Sequence, residues 1–311
     1  MSITKKEAYF NSSDGIHKIR TLIWLDEAAD HEAIFQIAHG VAEHIDRYDE
    51  FARFMASNGY VVCGMDFLGH GKSVNSPIEL GDIPGKDGHI RLVDDMHILA
   101  NIMHKRYPTL PYFLFGHSMG SFAARLYASI FGYELCGLCL SGTGQLPAVT
   151  TLLDMPIDLL VKKLGEDSSL GNVFGATGKL QSLSFKNETG DDLAWLSRDK
   201  ANRERYRADP LCGFNLNAGG LQTLANLAIK ASDDRCTNSF PACLRVLLVS
   251  GAKDPIGNNG RGVLTFADRL ENAGICPDVI LYPGDRHEIL NENDRETVYN
   301  DILKWANQAM L

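Results

Sequence analysis

The sequence of 311 residues has neither a long apolar run nor a long basic run. No window approaches the roughly 18 apolar residues that span a bilayer, and residues 1–15 lack the apolar core of a secretory signal. The net charge of −9 and the lack of a basic cluster argue against a nucleic-acid partner, which would require a basic face. We therefore expect a soluble cytoplasmic protein that does not bind nucleic acid.

The chain has seven cysteines, an odd number that does not suggest a disulfide framework. Cys63, Cys136, Cys139 and Cys243 lie within apolar runs, where a thiol packs as a small hydrophobe. Cys136 and Cys139 form a C-x-x-C, but no second pair stands at the spacing of a zinc site. We therefore expect reduced packing cysteines, no metal and no cofactor.

Apolar segments that alternate with amphipathic ones indicate an α/β protein. Strands that alternate with helices form a mostly parallel sheet with helices on both faces, and the segments before residue 25 are expected to form an antiparallel edge. Strands are predicted at 33–38, 60–67, 112–115, 135–140, 244–250 and 278–282, and helices at 46–58, 90–107, 121–131, 262–273 and 294–310.

The alternation stops after Gly144 and resumes near residue 240. We predict one core formed by residues 1–144 and 240–311, with residues 145–239 inserted as a helical cap that shapes and shields the substrate site. Within the cap, residues 151–164 are unusually apolar. Three interpretations stay open for this stretch: it lines an acyl pocket, it docks transiently on a membrane surface, or it packs against the core.

Residues 116–120 read Gly-His-Ser-Met-Gly and lie between a predicted strand and a predicted helix. A G-x-S-x-G in this setting is typical of the nucleophile turn of the α/β-hydrolase fold. The two glycines are needed because side chains there would collide with the backbone around the strained serine. The pattern predicts that Ser118 is a nucleophile, and a serine hydroxyl requires a neighbouring base.

The base and its carboxylate partner are expected in loops that follow the last two strands, where catalytic groups of parallel sheets gather. His287 follows the strand at 278–282, and Asp254 follows the strand at 244–250. The chain order of Ser118, Asp254 and His287 is that of the α/β-hydrolases. Asp285 is the competing partner because it stands two positions before His287.

The negative charge that develops on a substrate oxygen requires preorganised N–H donors. In this fold one donor is the backbone N–H after the nucleophile, and the other comes from an earlier strand-end loop. The first is therefore expected from Met119. The second is expected from Val41, because His39-Gly40-Val41 directly follows the strand at 33–38.

Two further patterns are interpreted as ordinary loops. Gly71-Lys72-Ser73 is no phosphate-binding loop, because Asp66 stands where the first glycine of that motif belongs. His39, His44 and His70 lie on separate segments without a zinc-site pattern, so we expect them to form hydrogen bonds within loops.

Four motifs occur in order along the core: H-G-V-A-E-H at 39–44 followed by Arg47-Tyr48, D-x-x-G-H-G-x-S at 66–73, G-H-S-M-G at 116–120 and H-E-I-L-N-E at 287–292. Together they resemble the monoacylglycerol lipase and lysophospholipase branch of the α/β-hydrolases, a group that also includes serine aminopeptidase-like hydrolases. The resemblance implies a triad of Ser118, Asp254 and His287, an oxyanion hole at Val41 and Met119, and a mobile cap around an acyl-binding tunnel.

The expected activity is hydrolysis of a small, lipid-like carboxylic ester through an acyl-enzyme on Ser118, with the substrate held by cap residues 145–239. An amidase, a thioesterase or an acyltransferase would use the same triad and stays an alternative. A ligand-binding homologue that retains the fold without turnover is the alternative from another class.

Overall fold

The computed structural model describes residues 2–147, 159, 161–169, 180–185 and 191–311. Its strands are β1 (Ile3–Asn11), β2 (Lys18–Asp26), β3 (Ala33–Ala38), β4 (Tyr60–Met65), β5 (Tyr112–His117), β6 (Gly137–Ser141), β7 (Arg245–Gly251) and β8 (Asp278–Tyr282). They form one eight-stranded sheet in the order β1-β2-β4-β3-β5-β6-β7-β8. The pairs β1–β2 and β2–β4 are antiparallel, and all the others are parallel. The predicted sheet and its antiparallel edge are confirmed.

Helices cover both faces of this sheet. They are α1 (Asp49–Ser57), α2 (Gly88–Arg106), α3 (Met119–Phe131), α4 (Lys200–Ala208), α5 (Ala218–Ala231), α6 (Asp234–Asn238), α7 (Arg261–Asn272) and α8 (Arg295–Ala309). On one face α2, α3 and α7 pack over an apolar cluster that includes Ile34, and on the other α1 and α8 pack over a cluster that includes Phe35. Neighbouring residues of β3 thus serve opposite faces, as the alternation of a strand requires.

Most predicted boundaries agree with the structure to within two residues. Helix α1 is the exception, since it begins at Asp49 and not at residue 46, because Ile45–Tyr48 forms a separate 3₁₀ helix. Helix α3 begins at Met119 instead of the predicted Ser121, because Ser118 alone turns the chain from strand to helix. Cys63 and Cys139 are buried as expected, but Cys243 is exposed. The packing role predicted for Cys243 is wrong, since this residue lies in the turn before β7 and not in the strand.

The segment between β6 and β7 corresponds to the predicted cap. Within it α5 packs against α2 and α3, and α6 contacts α3 and α7. Of the apolar stretch 151–164, only residues 159 and 161–164 are described, and the rest of that prediction lies outside the described residues. Leu159 and Leu164 are exposed, whereas Val161 is buried. In the described parts of the chain, no helix combines the length and the apolar character needed to cross a membrane.

Candidate active site

Ser118 occupies the turn between β5 and α3 with a φ of 51° and a ψ of −118°. This is a strained conformation for a residue with a side chain. A Cβ on Gly116 would stand 2.5 Å from the carbonyl oxygen of Gly120, and a Cβ on Gly120 would stand 2.2 Å from that of Ala38. Only glycine fits at either place, as the motif predicts. The backbone N–H of Ser118 donates to the carbonyl of Ser141 on β6 at 2.9 Å, which fixes the turn to the sheet.

His287 and Asp254 lie side by side in the loops after β8 and β7. The Nδ1 atom of His287 is 2.9 Å from Oδ2 of Asp254, and both side chains are buried. The other oxygen of Asp254 accepts a hydrogen bond from the N–H of Ile256 at 2.8 Å. Burial lowers the pKa of His287, but the charge and hydrogen bond of Asp254 outweigh this effect, and the pKa is raised above 6.5. With Nδ1 engaged, Nε2 is the ring nitrogen left for proton transfer.

Asp285, the competing partner, faces away from the imidazole. Its Oδ1 forms an ion pair with Nη2 of Arg198, which belongs to the inserted segment. Burial, with the negative charge of Glu292, raises the pKa of Asp285 to about 7 against the opposing effect of Arg198. The structure therefore brings Asp254, and not Asp285, to His287.

Ser118 and His287 line one cavity of about 440 Å³, a size typical of small-molecule sites. Val41 and Met119, the predicted oxyanion donors, line the same cavity. Most of the remaining wall is apolar and includes Phe122, Leu146, Leu221, Leu224, Ala228 and Ile256. The predicted site residues are thus assembled around one space, and their catalytic roles stay predictions.

The peptide between Gly40 and Val41 is held from the core. The N–H of Phe67 donates to Nε2 of His39 at 3.0 Å, so the ring proton is on Nδ1, which contacts the carbonyl oxygen of Gly40 at 2.6 Å. Burial lowers the pKa of His39 and so favours this neutral form. The N–H of Gly40 donates to Oε1 of Glu43 at 2.5 Å. A neutral histidine and a carboxylate together orient the start of the loop, which we call the oxyanion loop (residues 39–43).

A buried ion cluster joins the oxyanion loop to the residue after His287. Nη1 of Arg47 lies 2.6 Å from Glu43 and 2.5 Å from Glu288, and Nη2 lies 2.8 Å from the second oxygen of Glu288. Burial raises the pKa of Glu43, but Arg47 outweighs it and the pKa is lowered to about 2. These residues stand inside the sequence motifs, yet no role was predicted for them. The sequence signal that could have identified them is the presence of charged residues next to the proposed catalytic loops.

The inserted segment also contacts the His287 loop directly. The N–H of His287 donates to the carbonyl of Trp195 at 3.3 Å, and the N–H of Glu288 donates to that of Leu196 at 2.7 Å. The indole ring of Trp195 lies 5.1 Å from the imidazole ring of His287, centre to centre. Sequence reasoning missed Trp195 because no motif or periodic pattern surrounds it.

One group of side chains in the described part of the chain has the composition of a metal site. Ligand atoms of His44, Asp209 and Cys212 lie within 4.8 Å of one another. Nε2 of His44 contacts Asp209 at 2.8 Å, so a hydrogen-bonded ion pair already accounts for two members. Burial raises the pKa of the Cys212 thiol, which disfavours the thiolate that a soft metal requires.

His70 contacts the carbonyl of Leu68 through Nδ1 at 3.0 Å, in keeping with the loop role expected for it.

The chain matches a known protein family and several characterised relatives. The family model described as serine aminopeptidase, S33, matches residues 29–294. A monoacylglycerol lipase from Mycolicibacterium smegmatis is 28% identical over 311 residues, covering 98% of each chain. The monoglyceride lipase of Homo sapiens is 27% identical over 282 residues, covering 89% of this chain and 83% of its own length.

Solved structures agree with this placement. A highly thermostable carboxyl esterase from Bacillus coagulans, in complex with glycerol, matches with a TM-score of 0.90, 28% identity and 100% coverage of both chains. A lipase in its open form matches with a TM-score of 0.85 and 26% identity, covering 98% of this chain and 99% of its own. The chain belongs to the serine aminopeptidase S33 family and is an ester-hydrolysing enzyme of the α/β-hydrolase fold.

Proposed function

We propose that this enzyme hydrolyses monoacyl esters of glycerol, or closely similar lipid esters, through an acyl-enzyme on Ser118. The observation that carries the proposal is the shared cavity: Ser118 and His287 line one largely apolar space, and His287 is backed by Asp254 at 2.9 Å. A nucleophile, a base and an orienting carboxylate in this arrangement suit acyl transfer.

In the proposed reaction His287 accepts the hydroxyl proton of Ser118 at Nε2 as the serine oxygen attacks the ester carbonyl. The backbone N–H groups of Val41 and Met119 stabilise the oxyanion. The C–O bond to the alcohol breaks, and the imidazolium returns its proton to the leaving alkoxide. Water, deprotonated by His287, then attacks the acyl-enzyme, and the acid leaves as Ser118 regains its proton.

The substrate class is inferred from the walls of the cavity and from the relatives. Apolar residues such as Phe122, Leu146 and Leu224 suit an acyl chain, while Glu43, Gln145 and other polar side chains offer hydrogen bonds to an alcohol. The relatives from Mycolicibacterium smegmatis and Homo sapiens carry the names monoacylglycerol lipase and monoglyceride lipase. Both relatives align with most of this chain, which supports a similar substrate here.

The decisive experiment compares wild type with Ser118→Ala. A fluorophosphonate probe is expected to label wild type and to leave Ser118→Ala unlabelled, while turnover falls by a factor on the order of 10⁶. Ser129→Ala is the matched control, since Ser129 lies on the same helix and donates to the carbonyl of Leu126. Equal labelling of wild type and Ser118→Ala would show that the nucleophile is another residue.

A panel of substrates is needed to identify the bond that the enzyme cleaves. Monoacylglycerols and lysophospholipids of increasing acyl length are compared with matched amides and thioesters, with and without added alcohol acceptors. We expect the highest kcat/KM for a monoacylglycerol. A higher value for the amide or the thioester, or predominant transfer to the alcohol, would assign the chain to one of those other reactions.

The same proposal makes residues 145–239 a cap that selects the substrate. Support comes from Leu146, Trp195, Tyr206 and Leu224, which line the cavity from four separate places along this segment. Because α5 packs against α2 and α3, part of the segment is held on the core.

We further propose that a cytoplasmic form of the enzyme meets lipid at a membrane surface through the cap. Leu159, Leu164, Leu180 and Leu183 are exposed apolar residues of this segment. Exposed leucines of this kind bind interfaces by burying apolar surface in the headgroup region.

Flotation with phosphatidylcholine vesicles tests the membrane proposal. The double variant Leu159→Ser/Leu180→Ser is expected to lose vesicle binding while hydrolysing a short soluble ester at the wild-type rate. Ile16→Ser is the control, because Ile16 is equally exposed but lies in the turn between β1 and β2. Vesicle binding that is unchanged in the double variant would contradict the proposal.

A further inference from the structure

We propose that Tyr206, in helix α4 of the inserted segment, is a positioning residue that sets the geometry of the oxyanion loop. Its hydroxyl donates to the carbonyl oxygen of Ala42 at 3.0 Å, and the N–H of Gly213 donates to the same oxygen at 2.9 Å. Ala42 directly follows Val41, whose N–H is an oxyanion donor in the proposed function, so the inference rests on that function. Both donors come from the inserted segment and not from the sheet that carries Ser118.

The backbone of Ala42 is strained, so contacts from other residues are needed to keep its conformation. Its φ is +53°, in the left-handed region that residues with a Cβ rarely adopt, and the residue is fully buried. Such a conformation persists only where surrounding contacts enforce it. If the carbonyl of Ala42 is released, the chain can relax toward negative φ. The Val41–Ala42 peptide would then shift and displace the N–H of Val41 from the position set by the first anchor.

The two halves of the oxyanion loop are therefore fixed from different sides. His39 holds the carbonyl of Gly40 and is itself bound by the N–H of Phe67, so the first half is fixed by the core. Tyr206 and Gly213 hold the carbonyl of Ala42, so the second half is fixed by the insertion. The donor N–H of Val41 lies between these two anchor points.

Tyr206 is itself held firmly enough to act as an anchor. Its side chain is buried, and the guanidinium group of Arg47 lies 4.9 Å from the centre of its ring. Asn202, one turn earlier on α4, donates to Glu288 at 2.7 Å and accepts from Arg47 at 3.2 Å. Burial raises the pKa of Tyr206, so the hydroxyl keeps its proton and remains a donor.

Tyr206→Phe removes the hydroxyl and keeps the ring. With a short soluble ester we expect kcat to fall about tenfold and KM to change less than about twofold, because a displaced N–H weakens the transition state and not substrate binding. The rate of fluorophosphonate labelling is expected to fall in parallel. Tyr60→Phe is the matched control, since its hydroxyl donates to Asn307 at 2.8 Å on the far side of the fold, and its kcat is expected to equal wild type.

Ketone inhibitors separate positioning from general loosening of the fold. An aliphatic trifluoromethyl ketone forms an oxyanion adduct with a serine, whereas the matched methyl ketone serves as the ground-state analogue. We expect Tyr206→Phe to weaken the fluorinated inhibitor about tenfold and to leave the methyl ketone unchanged, with the thermal midpoint of unfolding near that of wild type. Equal weakening of both inhibitors would overturn the inference.

Tyr206→Leu provides a second comparison because it removes the ring as well as the hydroxyl. If Tyr206→Phe matches wild type and only Tyr206→Leu is impaired, Tyr206 lines the cavity without positioning the loop, and the inference is wrong. A wild-type protein that the fluorophosphonate does not label would instead overturn the proposed function, so the two failures are distinguishable.

Discussion

Two buried clusters of charge flank the loop that carries His287, and they use the same residue type differently. Asp254 lies toward the cavity, 2.9 Å from the imidazole. Asp285 lies toward the inserted segment, where it pairs with Arg198 near Glu292. Both aspartates are fully buried in loops after neighbouring strands. The direction of the side chain, and not nearness to His287 in sequence, therefore decides which of the two carboxylates contacts the imidazole.

The clusters also differ in how their charge is balanced. The carboxylate of Asp254 accepts hydrogen bonds from Nδ1 of His287 and from the N–H of Ile256, both at 2.9 Å or less. Asp285 shares Arg198 with Glu292, and its pKa is raised to about 7 by burial and by that second carboxylate. The first cluster suits a carboxylate that orients an imidazole ring, whereas the second suits a contact that joins the insertion to the core.

Exchanging each aspartate for asparagine should produce the largest contrast. Asp254→Asn is expected to lower kcat by about 10⁴, because the amide favours the wrong tautomer of His287 and removes the charge that stabilises the imidazolium. Asp285→Asn is the matched variant, and its kcat is expected to stay within about threefold of wild type. Steady-state kinetics on one short ester measures both, and an equal loss in the two variants would remove the distinction between the clusters.

The pH dependence of stability should identify the Asp285 cluster. The pKa of Asp285 is raised from 3.8 to about 7 in the folded protein. Between these values only the folded state keeps the proton, so the contribution of Asp285 to stability is present below about pH 4 and is lost as the pH rises to about 7. Asp285→Asn is expected to flatten this part of the curve in urea unfolding. A curve that runs parallel to wild type would show that Asp285 does not titrate in this range.

Arg198→Met tests the contact between the insertion and the core. Removing one partner of a buried pair costs about 3–5 kcal/mol, but Arg198 is 33% exposed, so we expect a loss of about 1–3 kcal/mol. Arg207→Met is the control, because Arg207 pairs with Asp191 and Asp192 at the surface and should cost less than about 1 kcal/mol. Urea unfolding at pH 7.5 measures both variants, and similar losses would argue against a special role for the Arg198 pair.

The smallest expected effect is a shift of the acidic limb of the pH–rate profile. In the proposed function neutral His287 is the base, and its pKa is raised above 6.5 by Asp254. The value of kcat/KM should therefore rise with pH through an apparent pKa above 6.5. In the residual activity of Asp254→Asn, this limb is expected to move to lower pH, because the charge that raises the pKa of His287 is gone. An unmoved limb would assign it to a group other than His287.

The sheet and the nucleophile turn were predictable from local pattern. The bounds predicted for β3 and β8 agree with the structure, because apolar runs between turn residues are typical of buried strands. The turn at Ser118 was predictable for a steric reason, since its flanking glycines leave no room for a Cβ. The packing of Cys243 was mispredicted because its apolar run begins before the strand does.

The contacts of the insertion were not predictable in the same way. Tyr206 meets Ala42 across 164 positions of sequence, and Arg198 meets Asp285 across 87. Neither tyrosine nor arginine stands in a motif, and the helical pattern of α4 indicates a helix without indicating what the helix contacts. Glu43, Arg47 and Glu288 lie inside motifs, but their pairing depends on two loops that close on each other.

The sequence by itself determined the α/β sheet, the turn at Ser118 and the chain order of Ser118, Asp254 and His287. These follow from short-range sterics and from periodic burial, which each segment carries in its own residues. Only the tertiary structure decided which partner the buried Asp285 finds and which tyrosine contacts the oxyanion loop. Those outcomes depend on side chains that point from separate loops into one buried space, where each polar group must find a partner that is distant in sequence.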